Sequence, residues 1–208
     1  MALQTCLALM GSIPGEAVMG LVGKQFVAGT AALAFLLWAE VFASTGAVCE
    51  SALVYIARHR NLMISIGVLV LQIVLSFTLV AVMRSIDWEH SFLAQFGTRD
   101  SVQGVSVAIA LLVALSVGSV IKSNFLARLL KARVAGWRWS LLATAAVTIL
   151  VGTAFTSLPK RYEWIELSLG EPAILVTYLF VLWKWAFRPE DRALFKKLPG
   201  AGASASIT

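Results

Sequence analysis

Two stretches of the chain, Leu62 to Met83 and Val102 to Ile121, contain no Lys, Arg, Asp or Glu at all. Each is about 20 residues long, and as an α-helix rising 1.5 Å per residue each covers the roughly 30 Å of a bilayer's hydrocarbon. Water alone would not keep such a chain in solution. The composition agrees, with 59% hydrophobic and 13% charged residues, against about 45–50% and about 25% in soluble domains. The other structure that satisfies its backbone in lipid, a β-barrel, needs polarity alternating over about 10 residues. Runs such as Ile64-Ser65-Ile66-Gly67-Val68-Leu69-Val70-Leu71 do not keep that alternation. The reading is an all-α integral membrane protein.

Six spans are predicted, over residues 3–22, 27–56, 62–83, 102–124, 139–157 and 167–187, within one polytopic bundle of residues 1–198. Residues 199–208 are small and polar and read as a disordered C-terminal tail. The first span is interrupted by Pro14, Gly15 and Glu16. The second is long for one crossing, so it tilts, kinks at Ser44-Thr45-Gly46 or projects into the cytoplasm before Arg58-His59-Arg60 stops it. All tryptophans except Trp38 fall near predicted span ends, where an indole sits with its apolar side in the bilayer and its N–H outward.

The net charge of +6 is set out in loops, which excludes a nucleic-acid footprint and suits a topology signal. Arg58 and Arg60 follow the second span. Lys122, Arg128, Lys131, Arg133 and Arg138 follow the fourth, and Lys184, Arg188, Arg192, Lys196 and Lys197 follow the sixth. These hold most of the 17 basic residues. The opposite connections hold fewer, and include Asp87, Glu89, Asp100, Glu163 and Glu166. The positive-inside rule then places both termini in the cytoplasm, which requires an even number of spans. The N-terminus has neither a basic stretch nor a small-residue cleavage pattern, so no removable signal peptide is expected.

No enzyme constellation is present: no phosphate loop, no serine elbow, no metal-ligand spacing and no paired carboxylate motif. The chain is read as having no covalent catalysis, no cofactor and no metal. Cys6 and Cys49 lie in apolar context and read as small packing residues. Charges inside spans are more informative, because one near mid-bilayer costs about 2.5–3.5 kcal/mol on insertion scales and faces a cavity or a partner. Glu40 is the sharpest case, set between Leu36-Leu37-Trp38-Ala39 and Val41-Phe42-Ala43. It is either a coupling or substrate-contacting carboxylate in a water-filled cleft, or a structural Glu packed between helices. Gln72, mid-span in the third helix, needs a hydrogen-bond partner. Glu50 snorkels or pairs with Arg58 and Arg60. Ser106, Ala110, Ala114 and Gly118 recur every four residues, a signature of close helix approach. The basic cluster from Lys122 to Arg138 sets topology, meets anionic lipid, or holds a pyrophosphate-linked lipid.

Several segments together resemble a known family. They are Gly23-Lys24-Gln25-Phe26-Val27-Ala28-Gly29, the long helix ending Ala52-Leu53-Val54-Tyr55-Ile56-Ala57-Arg58-His59-Arg60-Asn61, and Phe187-Arg188-Pro189-Glu190-Asp191-Arg192-Ala193-Leu194-Phe195. They resemble the C-terminal half of O-antigen and exopolysaccharide flippases of the multidrug/oligosaccharidyl-lipid/polysaccharide exporter superfamily. The resemblance implies one lobe of a two-lobe exporter in a bacterial inner (plasma) membrane. That lobe moves lipid-linked oligosaccharide for lipopolysaccharide or exopolysaccharide biosynthesis. It also implies a second lobe, supplied by missing upstream sequence, a partner subunit or a homodimer. Two rivals stand beside it: a scaffold subunit of a polysaccharide-synthesis complex that transports nothing, and a membrane-embedded transferase using Asp87, Glu89, His90, Arg99 and Asp100. That last group reads better as a solvated outer loop.

Overall fold

The computed structural model of the chain describes residues 2–85, 99–131, 139–156 and 166–186, and the regular elements among them are all helical. Helices α1 (Ala2–Ser12) and α2 (Gly15–Val22) meet at 73°. Pro14 sits at the bend. It lacks the N–H that a continuing helix would use, and its ring clashes with the preceding turn. The expected first span is therefore a bent pair rather than one rod. Gly23, at φ +155°, turns the chain through a conformation that a side chain would strain. A 3-10 stretch, Lys24–Gly29, then leads into α3 (Thr30–Ile56).

Helix α3 runs unbroken through Ser44-Thr45-Gly46. Both hydroxyls there donate to the Val41 carbonyl, so they find partners without opening the helix. Ala57 alone separates α3 from α4 (Arg58–Ser85). Arg58-His59-Arg60 thus form the first turn of the next helix rather than a loop. Helix α5 (Arg99–Leu130) stops at Lys131, whose φ of +48° is the left-handed conformation that commonly closes a helix. The chain continues in α6 (Trp139–Thr156) and α7 (Glu171–Val181), the latter flanked by π-helical turns Glu166–Gly170 and Leu182–Ala186.

Three helical stretches, Lys24–Ile56, Arg58–Ser85 and Val102–Leu130, are long and apolar enough to cross a membrane, and the bent α1–α2 pair makes a fourth if it counts as one crossing. The fifth and sixth expected spans, 139–157 and 167–187, are helical over the described residues 139–156 and 166–186. Among the described residues, three or four spans are therefore clear by length and composition. The tail, Trp88, Trp137, Trp164, Asp87, Glu89, His90, Arg133 and Arg138 lie outside the described residues.

Helix directions follow from pairs of touching residues. On α3 and α5, Gly46 faces the Ser119 backbone, Glu50 bonds Lys122, and Cys49 and Leu53 pack with Leu126, so the two run parallel. On α4 and α5, Arg60 lies over Phe125 and Val68 presses on Gly118, so those two are antiparallel. The ends carrying Arg58, Arg60, Arg128 and Lys131 therefore meet on one side. Ser106, Ala110, Ala114 and Gly118 are all buried, and they give α5 a smooth surface on which its neighbours close. A second cluster joins α1, α6 and α7 through Cys6, Leu9, Ala145, Ile174, Tyr178 and Leu182. Both cysteines are free and buried.

The polarity is inverted relative to a soluble fold. Thr45, Ser106, Ser119, Thr144 and Thr148 are inside, while Leu62, Met63, Ile66, Leu69, Ile73 and Phe77 stand exposed along α4. An apolar outer surface of that extent belongs in lipid or against a partner. The Tyr178 hydroxyl donates to the Ala2 carbonyl at 2.7 Å and ties the first turn of α1 to α7. Tyr178→Phe should cost about 1 kcal/mol, the net value of one such bond, read as a melting temperature a few degrees lower in detergent micelles.

Candidate functional site

The described side chains gather charge at one place, the end of the bundle where α3 stops, α4 starts and α5 nears its close. Parallel register brings Lys122 of α5 opposite Glu50 of α3, and the ammonium donates to the Glu50 carboxylate at 2.8 Å. The Lys122 side chain is only 11% exposed, whereas that of Glu50 is 44% exposed. The lysine is the buried partner, and the carboxylate carries its neutralisation out to the surface. The Asn61 side chain lies beside the same carboxylate.

Of the two expectations for Glu50, that it snorkels or that it pairs with Arg58 and Arg60, this pairing corrects the second. Both arginines lie beyond the Ala57 joint, and Arg60 stands over the Phe125 ring with its guanidinium carbon 5.8 Å from the centroid, within cation–π range. Lys122, at the edge of the expected basic cluster, is thus paired with a carboxylate. Arg128 and Lys131 remain exposed at that end of α5.

Beside the ion pair is a cleft of about 590 Å³ lined by Glu50, Val54, Arg58, His59, Asn61, Leu62 and Ser65. Positions 58, 61, 62 and 65 recur at helical spacing, so the first two turns of α4 turn one mixed face toward Glu50 and Val54 of α3. Asn61 is only 5% exposed. Its Oδ1 has no hydrogen-bond partner, and neither have the hydroxyls of Ser65 and Ser119 nearby. Buried polar atoms without partners are uncommon. The cleft can thus offer a guanidinium, an imidazole, an acceptor and a hydroxyl to a polar ligand.

Glu40 and Gln72 lie elsewhere. Continuing the α3–α5 and α4–α5 registers brings both level with about the Val113–Ala114 turn of α5, two to three helical turns from the cleft. Glu40 is exposed on α3 and Gln72 half-buried on α4, so the reading of Glu40 as packed between helices is not what the described residues adopt. Neither lines the cleft. Asn61 and Ser65 were missed in the sequence, although their spacing after Arg58 on a helix start was there to read.

Comparison with known protein families, with curated proteins and with solved structures found no match to this chain.

Proposed function

We propose that this protein crosses a bacterial inner membrane six times with both termini in the cytoplasm, and acts as one lobe of an exporter translocating lipid-linked oligosaccharide. The observation that carries this reading is Glu40. It is an ionisable side chain within an apolar helix, exposed on the outer face of α3. Left against lipid it costs about 2.5–3.5 kcal/mol or more. A water-filled cleft between this bundle and a second lobe removes that cost, and places the carboxyl where a coupling ion or a sugar hydroxyl passes. The second lobe is another chain, a second copy or further sequence of the same protein. The common side on which Arg58, Arg60, Arg128 and Lys131 meet supports the cytoplasmic assignment of that end.

The test is Glu40→Gln in a strain whose surface polysaccharide depends on this protein. Surface polysaccharide should fall about tenfold or more, a rise of about 1.4 kcal/mol or more in the transport barrier, while lipid-linked precursor accumulates and protein level holds. Unchanged surface polysaccharide would remove Glu40 from the mechanism. The bare apolar flank of α4 favours one alternative, a non-transporting scaffold subunit of a polysaccharide-synthesis complex. That alternative predicts normal precursor turnover on deletion, together with loss of a co-purifying synthase.

A further inference from the structure

We infer that the cleft between the end of α3 and the start of α4 is a binding site for the phosphate of an anionic membrane lipid with a hydroxyl-bearing headgroup. The inference stands whether or not the exporter reading does, because it uses the cleft and not Glu40. Three features specify the ligand. The first is charge: the Glu50 carboxylate is already answered by Lys122 at 2.8 Å, so Arg58, with His59 beside it, gives the cleft a positive balance. A guanidinium binds phosphate oxygens in a bidentate, charge-assisted geometry.

The second feature is the pair of unsatisfied polar atoms. Asn61, nine-tenths and more buried, keeps its Oδ1 without a donor, and the Ser65 hydroxyl is also unpartnered. A headgroup that brings hydroxyls as well as phosphate supplies the missing donor and acceptor, and a choline headgroup brings no hydroxyl. The third is position. Leu62 lines the cleft and begins an exposed stripe, Leu62, Ile66, Leu69 and Ile73, that follows one face of α4 into the apolar part of the bundle. An acyl chain attached to a phosphate seated at Arg58 lies along that stripe, an arrangement that a free phosphate in water does not use.

The experiment uses the full chain purified in an uncharged detergent, with adducts counted by native mass spectrometry during titration. The probes are phosphatidylglycerol, phosphatidylcholine and inorganic phosphate. Phosphatidylglycerol should bind about tenfold tighter than phosphatidylcholine, because its hydroxyls satisfy Asn61 and Ser65 and no choline ammonium cancels its phosphate charge. Tenfold is about 1.4 kcal/mol, the contribution of one or two such hydrogen bonds. Arg58→Gln should diminish that preference, because the guanidinium favours a net-anionic headgroup over one whose choline cancels the phosphate charge, and Lys24→Gln, exposed near the start of α3, should leave the preference intact. Monodisperse elution and an unchanged helical circular dichroism spectrum establish that each variant is folded. Equal binding of the two lipids by the unmodified chain overturns the inference, as does an undiminished preference in folded Arg58→Gln. Inorganic phosphate binding as tightly as phosphatidylglycerol would overturn the lipid source and assign the cleft to free phosphate.

Discussion

Replacing Glu50 with Gln is expected to destabilise the bundle by about 2–3 kcal/mol, and combining it with Lys122→Met should recover most of that loss. Removing one partner of a buried ion pair leaves the other charge desolvated and unanswered, which typically costs about 3–5 kcal/mol. The value here is placed lower because Glu50 is 44% exposed and water shares in solvating it. Lys122 is the member left stranded, at 11% exposure. Replacing both members removes the charge and its desolvation together, and such replacements are often neutral. Tryptophan-fluorescence melting in micelles checks this. If the single and double variants melt together, the pair contributes nothing and the assignment of Lys122 as the buried partner fails.

Gly118→Leu should have an effect at least as large. A Cβ at that position would come 2.8 Å from Cγ2 of Val68 and 3.2 Å from its Cγ1, before the rest of a leucine is added. Val68 is β-branched and has little rotamer freedom within a helix. The strain therefore passes to the α4–α5 contact, at about 3 kcal/mol, the upper part of the usual overpacking range. Because α4 carries Arg58, Asn61 and Ser65, its displacement should also weaken lipid binding at the cleft. Gly67 is the control next door: nothing lies within 4 Å of a Cβ placed there. Gly67→Ala should be neutral, or stabilising by up to about 1 kcal/mol, from the higher helix propensity of Ala. A Gly118→Leu protein that melts with the unmodified chain would mean that α4 and α5 do not close on that glycine.

Much of the fold was legible in local sequence. Charge-free runs located α4 and α5, and the Pro14-Gly15-Glu16 interruption pointed to the break that the structure resolves as a 73° bend. The four-residue spacing of Ser106, Ala110, Ala114 and Gly118 announced a packing face, because small side chains admit a neighbouring backbone in any context. Less was legible of the site. Arg58-His59-Arg60 read as a stop because three polar residues end an apolar run. A single residue, Ala57, suffices for the reversal, so they became the opening turn of a helix and one wall of a cleft.

The partner of Glu50 shows where local reading ends. Lys122 lies 72 positions away, and choosing it over Arg58 or Arg60 requires the direction and rotation of α5 relative to α3. In a soluble helix an apolar stripe would announce that rotation. Here apolar residues occupy the whole circumference of α4 and α6, because lipid and protein interior are equally hospitable to them. Hydrophobicity alone therefore set which segments are helical and apolar enough for a bilayer. Which helices meet was decided by their relative directions, by the side chains such as Val68 that close on Gly118, and by the register that brings Lys122 to Glu50. Those are properties of helices in contact, and no single helix carries them.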